Sequence, residues 1–215
     1  AAFGALALAA NTTGSENTGL GPAALYGNTT GDNNVAVGHA ALVANTTASN
    51  NTAVGKSALA ANTTGTGLVA VGANALDANT TASNNVGIGL NAAGGTTTGA
   101  DNIAIGTNSL LANTTGASNV SIGTYALNAN TTASNNTAVG YAALTANTTG
   151  AQNTGSGTYA LATNTTGASN VAMGYNSLGA NTTAANNTAV GFRSLQENTT
   201  GAGNTGLGME ALYAN

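Results

Sequence analysis

The chain has 215 residues, of which 42% are hydrophobic and only 4% are charged, and its formal net charge is −4. Ordinary domains are about one-quarter charged, so surface charge offers this chain little protection from self-association. Its two Lys or Arg residues make nucleic acid a poor partner, and its hydrophobic content argues against disorder. The absence of cysteine excludes a disulfide framework and thiolate chemistry.

The first ten residues, AAFGALALAA, resemble the core of a signal peptide with a small-residue cleavage site, but they lack a basic segment. They fit instead a repeat that fills the chain, because Gly4 lies one period before Gly21 and Leu8 one period before Leu25. No apolar run approaches the ~20 residues of a membrane-spanning helix, so no membrane span is expected.

A seventeen-residue period runs through the chain without an insertion or deletion. The motif Asn-Thr-Thr begins at Asn11, returns at Asn28 and continues in step to Asn198. A fixed period of this length predicts a solenoid in which each repeat is one coil. We therefore expect one continuous array over residues 1–215: a partial coil at 1–10, twelve coils over 11–214, and the start of another at Asn215. We expect such an array, about 12.5 coils long, to be either an excerpt of a longer one or a unit that stacks end to end on copies of itself.

Positions in the block are counted from the Asn of Asn-Thr-Thr as position 1. A short strand is predicted before position 11, as in Asn51-Thr52-Ala53-Val54 and Asn102-Ile103-Ala104-Ile105. Positions 8 and 10 are mostly Val, Ile, Leu or Thr, whereas position 9 is always Ala, Gly or Ser. This alternation predicts that positions 8 and 10 face the core.

Position 11 is Gly in every complete block. A Gly at one recurring place indicates a turn with positive φ or a close approach of neighbouring backbones. These structural turn glycines are Gly21, Gly38, Gly55, Gly72, Gly89, Gly106, Gly123, Gly140, Gly157, Gly174, Gly191 and Gly208.

A second strand is predicted after the Gly. Position 15 is Leu in all complete blocks except one, which has Ala93, and position 17 is usually Ala. The two positions share a parity, so both are expected to face the same core as positions 8 and 10. Two short strands and two turns per coil predict an all-β fold, a flattened parallel β-roll with one 17-residue repeat per coil.

Asn and Thr recur at fixed places in the block. Asn occupies position 7 except at Leu68 and position 1 except at Thr96, and Thr occupies positions 2 and 3 throughout. In a parallel stack, identical residues lie about 4.8 Å apart, so Asn amides and Thr hydroxyls are expected to form ladders.

The strand motifs Asn-Thr-Ala-Val-Gly (51–55, 136–140 and 187–191), Asn-Val-Ala-Val-Gly and Asn-Ile-Ala-Ile-Gly resemble the head repeat of YadA-type trimeric autotransporter adhesins. They are also similar to β-roll repeats of phage tail-fibre-like proteins. The resemblance implies a left-handed roll, three chains side by side and an elongated cell-surface, extracellular or virion fibre. It also implies that the small residues at positions 9 and 14 pack against neighbouring chains.

Catalytic and metal-binding residues are not evident in the sequence. His39 is the only histidine, and no acid is positioned to orient it. The carboxylates occupy variable positions, which is typical of a solvated face: Glu16, Asp32, Asp77, Asp101, Glu197 and Glu210. We expect no enzyme activity, no cofactor and no metal, since the Asp-rich motif of calcium-binding rolls is missing.

Two surface features depend on the register. Arg193 and Glu210 share position 13 in successive coils and are expected to form an exposed ion pair. Seven of the eight aromatic side chains lie at variable positions 12, 13 and 16, where scattered surface decoration is the favoured interpretation and glycan or protein binding the alternative. They are Tyr26, Tyr125, Tyr141, Tyr159, Tyr175, Phe192 and Tyr213.

Asn-Thr-Thr is also a sequon for N-glycosylation. Further matches begin at Asn50, Asn135 and Asn186. The candidate glycosylation sites are Asn11, Asn28, Asn45, Asn62, Asn79, Asn113, Asn130, Asn147, Asn164, Asn181 and Asn198.

Two functions are consistent with these patterns. The first is a structural fibre segment that associates with copies of itself, laterally as a trimer or end to end, and adheres to a host-surface or matrix ligand. The second is ice binding by Thr and Asn ladders on a β-solenoid. Against the second, adjacent Thr residues at positions 2 and 3 point to opposite faces of an extended strand.

Overall fold

Thirteen short strands form one parallel sheet in which neighbours in the chain are neighbours in space. The computed structural model describes residues 1–214; Asn215, predicted to begin a further coil, lies outside the described residues. The strands are β1 Ala2–Phe3, β2 Thr18–Leu20, β3 Val35–Val37, β4 Thr52–Val54, β5 Val69–Val71, β6 Val86–Ile88, β7 Ile103–Ile105, β8 Val120–Ile122, β9 Thr137–Val139, β10 Thr154–Ser156, β11 Val171–Met173, β12 Thr188–Val190 and β13 Thr205–Leu207.

The pairing register equals the sequence period. Val120 lies opposite Thr137, and Thr137 lies opposite Thr154, so each strand pairs with the strand seventeen residues away. Every complete strand covers positions 8 to 10 of its block. The predicted parallel β-solenoid with one repeat per coil is therefore confirmed.

The second side of the coil consists of turns, so the prediction of a second strand is wrong. In the coil that begins at Asn113, the amide of Ala126 donates to Gly123 (3.2 Å), and the amide of Asn130 donates to Leu127 (3.1 Å). Between these bonds, Tyr125 and Leu127 have left-handed backbones with φ of 60° and 46°. Two left-handed residues two apart break the strict alternation of an extended strand.

The core consists of small residues and one Leu per coil. Position 15 is buried as predicted in every complete coil except the last, where Leu212 is exposed; Leu127, Leu144 and Leu161 have no exposed surface. Positions 9 and 14 complete the core, as with Ala138 and Ala143. Position 17 is half-buried in most coils, so its predicted place in the core is wrong.

Positions 8 and 10 face outwards, which also contradicts the prediction from the sequence. Ala138, at position 9, is buried, whereas Val139, at position 10, is 38% exposed. The interior is too thin for large side chains on both walls: a Cβ added to Gly155 would lie 3.2 Å from the carbonyl oxygen of Ala160 and 3.4 Å from the Leu144 side chain. Positions 9 and 14 are consequently small because they meet inside one chain, not because they pack against neighbouring chains.

Buried Asn side chains join successive coils. At position 1 they form the predicted amide ladder, in which Nδ2 of Asn147 donates to Oδ1 of Asn130 (3.0 Å). At position 7, Oδ1 of Asn136 accepts the backbone amide of Asn153 (2.9 Å), and Nδ2 of Asn136 donates to the carbonyl of Gly150 (2.9 Å). These bonds satisfy backbone groups that the thin core would otherwise leave unpaired.

Thr hydroxyls behave differently at the two Thr positions. At position 2 the hydroxyl donates to the backbone carbonyl of the next Thr in the stack, as from Thr131 to Thr148 (3.2 Å). At position 3 every Thr is exposed. The Thr ladder therefore runs from side chain to backbone and uses only one of the two Thr files.

No helix within residues 1–214 is long and apolar enough to cross a membrane.

Candidate functional site

The outward side of the sheet is an apolar surface without a single charged residue. It consists of two files of side chains at positions 8 and 10, which we call the apolar sheet face. Position 8 comprises Thr18, Val35, Thr52, Val69, Val86, Ile103, Val120, Thr137, Thr154, Val171, Thr188 and Thr205. Position 10 comprises Leu20, Val37, Val54, Val71, Ile88, Ile105, Ile122, Val139, Ser156, Met173, Val190 and Leu207.

The apolar sheet face is regular because the strands are in register. Side chains repeat about every 4.8 Å along the solenoid, and the two files are about 7 Å apart. Twelve coils therefore make a face about 60 Å long. Its large side chains are accessible: Val54, Ile88 and Ile122 are each 36–37% exposed, and Met173 is 46% exposed. A contiguous apolar surface larger than a few hundred Å² is rare on a monomer and indicates an interaction site.

A second apolar feature lies at the corner that follows the strand. Five rings in successive coils form an aromatic strip: Tyr125, Tyr141, Tyr159, Tyr175 and Phe192. The first three pairs are edge to face, with ring centroids 6.2, 5.5 and 6.2 Å apart. Tyr175 and Phe192 are stacked at 5.4 Å. The rings lie at positions 13, 12, 13, 12 and 12, and each contacts the next, so the interpretation as scattered decoration is wrong for this part of the chain.

Arg193 lies at one end of the aromatic strip. Its Cζ atom is 5.3 Å from the centroid of the Phe192 ring, within the range of a cation–π contact. The predicted ion pair with Glu210 does not form, although the amide of Glu210 donates to the carbonyl of Phe192 (2.8 Å) as the register requires. The register is therefore correct, and the guanidinium packs on its neighbouring ring instead of reaching the carboxylate.

The Asn-Thr-Thr sequons lie in the buried Asn ladder. Asn28, Asn45 and Asn62 have no exposed surface, and Nδ2 of Asn45 donates both to Asn28 Oδ1 (2.8 Å) and to the carbonyl of Ala48 (2.9 Å). The nitrogen that glycosylation would modify is thus enclosed once the coil has formed. Asn11, in the first complete block, is half-buried, with its Nδ2 donating to the carbonyl of Gly14 (2.9 Å).

The three Asn-Asn-Thr sequons differ from the others. Asn50, Asn135 and Asn186 occupy position 6, where each side chain is exposed in a left-handed turn with φ of 60–63°. Their amides are accessible in the folded protein.

The turn glycines have the backbone that the sequence predicts. Gly106 has φ of 130°, and a Cβ added there would lie 2.7 Å from the carbonyl carbon of Gly123 in the next coil. Positive φ and close approach of the next backbone therefore both apply at position 11.

The ionisable residues do not form a site. His39 is exposed, and residues 1–214 contain no group of three His, Cys, Asp or Glu side chains that could hold a metal ion. Glu16, Asp101, Glu197 and Glu210 are exposed, whereas Asp32 and Asp77 are half-buried. Burial raises the pKa of Asp77, although hydrogen bonds from the backbone of Asp77 and Ala78 act in the opposite direction.

Sequence reasoning missed the two surfaces that distinguish this chain. It placed positions 8 and 10 inside the coil, so the apolar sheet face was not foreseen. The aromatic strip was detectable, because a ring at position 12 or 13 in five successive blocks is visible once the blocks are aligned. No protein-family model, curated protein or solved structure matches this chain.

Proposed function

We propose that this chain is a structural repeat segment of an extracellular or virion-surface fibre, in which copies of the chain pack laterally through the apolar sheet face. The observation that carries the proposal is a face that has no charged residue in any complete coil and consists of aliphatic side chains interspersed with Thr. Its burial by another copy would remove one or two aliphatic side chains from water in every complete coil except the one that contains Thr154 and Ser156. At about 25 cal/mol per Å² of buried apolar surface, each of these coils adds to the free energy of association.

The position of the face favours a closed assembly. It occupies one side of each coil, whereas the rest of the surface carries exposed Thr and Asn, the aromatic strip and the few charged residues. A chain with one apolar side can bury that side against other copies arranged around an axis parallel to the solenoid. The assembly is then closed, because no apolar sheet face is left for a further copy. Two or three chains fit this description, and three is the number that the resemblance to trimeric adhesins implies.

Charged substitutions on the face provide the test. Ile122→Lys together with Val139→Lys would bury two ammonium groups in the interface, so the variant should sediment as a monomer where the unaltered chain sediments as an oligomer. The matched control is Ser118→Lys with Asn135→Lys, which adds the same charge to exposed position 6 of the same two coils. Circular dichroism checks that both variants fold.

Two results would contradict lateral packing. The unaltered chain could remain monomeric at micromolar concentration, or both charged variants could dissociate equally. In the latter case net charge, not the apolar sheet face, would control association.

Ice binding is the second candidate, and one observation favours it. The Thr residues at position 3 form a single exposed file, and their hydroxyls make no hydrogen bond within residues 1–214, as with Thr115, Thr132 and Thr149. A file of free hydroxyls about 4.8 Å apart could order water. Replacing these three by Tyr should abolish thermal hysteresis; absence of hysteresis in the unaltered chain removes this candidate.

A further inference from the structure

The aromatic strip is open to a ligand. Its rings remain 39–46% exposed although they contact one another. Five coils at about 4.8 Å each make a ridge about 20 Å long from the first ring to the last. The apolar sheet face runs through all complete coils, whereas this ridge is confined to the coils between residues 113 and 197. A bounded ridge is suited to a ligand of limited length.

Polar groups without partners accompany the rings. Thr124, Thr158 and Asn176 occupy the same corner, and their side chains make no hydrogen bond within residues 1–214. Three of the five coils of the strip thus have a free hydroxyl or amide group on the residue next to the ring. Sugars present the complementary surface, because the slightly positive C–H bonds of a pyranose ring pack on the negative face of an aromatic ring while its hydroxyls form hydrogen bonds.

Arg193 indicates that a ligand of the strip has a negatively charged group. Its guanidinium makes no hydrogen bond or ion pair within residues 1–214, and its buried Nε atom has no partner. A guanidinium forms its strongest contacts with a carboxylate or phosphate, often through two parallel hydrogen bonds. A phosphodiester polymer would need several cations, whereas the whole chain has two Lys or Arg residues. One isolated Arg is better matched to one carboxylate.

We propose that the aromatic strip and Arg193 bind an acidic oligosaccharide along the solenoid axis. Its sugar rings stack on the tyrosines, and the carboxylate of a uronic or sialic acid pairs with Arg193. The ligand would be the glycan of a host surface or matrix, which gives the proposed fibre an adhesive function. Binding does not require lateral association, so either proposal can fail while the other holds.

The test uses an array of oligosaccharides that contain uronic or sialic acids, together with neutral oligosaccharides of the same length. The strip variant takes at each position a residue that other coils already have there, so the interior is unchanged. It combines Tyr125→Asn, Tyr141→Thr, Tyr159→Asn, Tyr175→Thr and Phe192→Thr. The control combines Tyr26→Thr and Tyr213→Thr at position 16, where Thr145 shows that Thr is accommodated.

The unaltered chain and the control should bind acidic glycans, and the strip variant should lose binding. Arg193→Asn should weaken binding of the acidic glycans by about tenfold or more, the loss of one charged hydrogen bond, and leave any binding of neutral glycans unchanged. Binding of acidic glycans should also decrease with added salt.

Three outcomes would overturn the proposal. They are no binding to any acidic glycan on the array, equal binding by the strip variant, and binding that Arg193→Asn leaves unaffected. Sedimentation of the strip variant provides the last check, because dissociation of an oligomer would show that the strip contacts another copy of the chain.

Discussion

Replacing the buried amide of Asn136 by a carboxyl group tests the hydrogen bonds through which the Asn residues of position 7 join successive coils. Asn136 has no exposed surface; its Nδ2 donates to Gly150 O (2.9 Å), and its Oδ1 accepts the amide of Asn153 (2.9 Å). Asn136→Asp keeps the size of the side chain. However, an ionised carboxylate places a second negative oxygen against the carbonyl of Gly150 and removes the donor.

The loss of unfolding free energy in Asn136→Asp depends on the protonation of the new carboxyl group. A neutral carboxyl group can donate its proton to Gly150 O and restore the bond, so the folded variant should take up a proton. Holding a group with an ordinary pKa of about 3.9 protonated at pH 7 costs about 1.4 kcal/mol per pH unit, which sets a ceiling near 4 kcal/mol. Because the folded pKa is raised, the native state binds more protons in this window. The lost stability should therefore grow as pH rises from about 4 to 7 and nearly vanish below about 4.

Urea unfolding followed by circular dichroism across this pH range measures the effect. The control is Asn135→Asp in the adjacent, exposed position 6, where Asp101 occurs in another coil. Its effect should stay within about 0.5 kcal/mol. If Asn136→Asp is as stable as this control at pH 7, or shows the same deficit at every pH, these hydrogen bonds to the next coil do not contribute as described.

Three further substitutions test the core, the turn and the half-buried carboxylate. Leu144→Ala should cost about 2–5 kcal/mol in urea unfolding because it leaves a cavity between coils, and a loss below about 1 kcal/mol would mean that the coil collapses around it. Gly106→Ala should lower the thermal midpoint, since its Cβ would lie 2.7 Å from backbone at a φ of 130°, whereas Gly203→Asn, at φ 73° with open space, should not. Asp77→Asn should remove a pH dependence: its raised pKa favours the protonated native state, so stability falls as pH rises through that pKa. Identical pH profiles for Asp77→Asn and the unaltered chain would show that burial does not affect this carboxyl.

The period predicted the solenoid, the register and the buried Leu, because these depend only on which residues recur. It did not predict which side of the strand faces in. The alternation at Thr137, Ala138 and Val139 is the same for either orientation, and the usual rule assigns the larger residues to the core. Here the opposite wall already contains Leu144, so only the small residue fits inside.

The prediction of a second strand was wrong because of the backbone conformation of the Leu residues at position 15. Leu127 and Leu144 have φ of 46° and 52°, a conformation that costs an isolated Leu about 1–2 kcal/mol. Leu has no intrinsic preference for this left-handed conformation. The stacked coils impose it, because they bury the Leu side chain and pair its backbone amide with the next coil. The aromatic strip likewise depends on the third dimension, since Tyr125 and Tyr141 meet only when coils are stacked.

The division between a uniform interior and a variable corner has an evolutionary consequence. Mutations at positions 12 and 13 alter neither Asn136 and its equivalents nor the buried Leu, so each coil can change its outward residue independently. A gene of this kind can duplicate the segment that encodes one coil and then change the outward residues of the copy. The result is a row of independently variable side chains about 4.8 Å apart. The aromatic strip and Arg193 would then be one such set of outward residues, and other arrays with the same interior could have different sets.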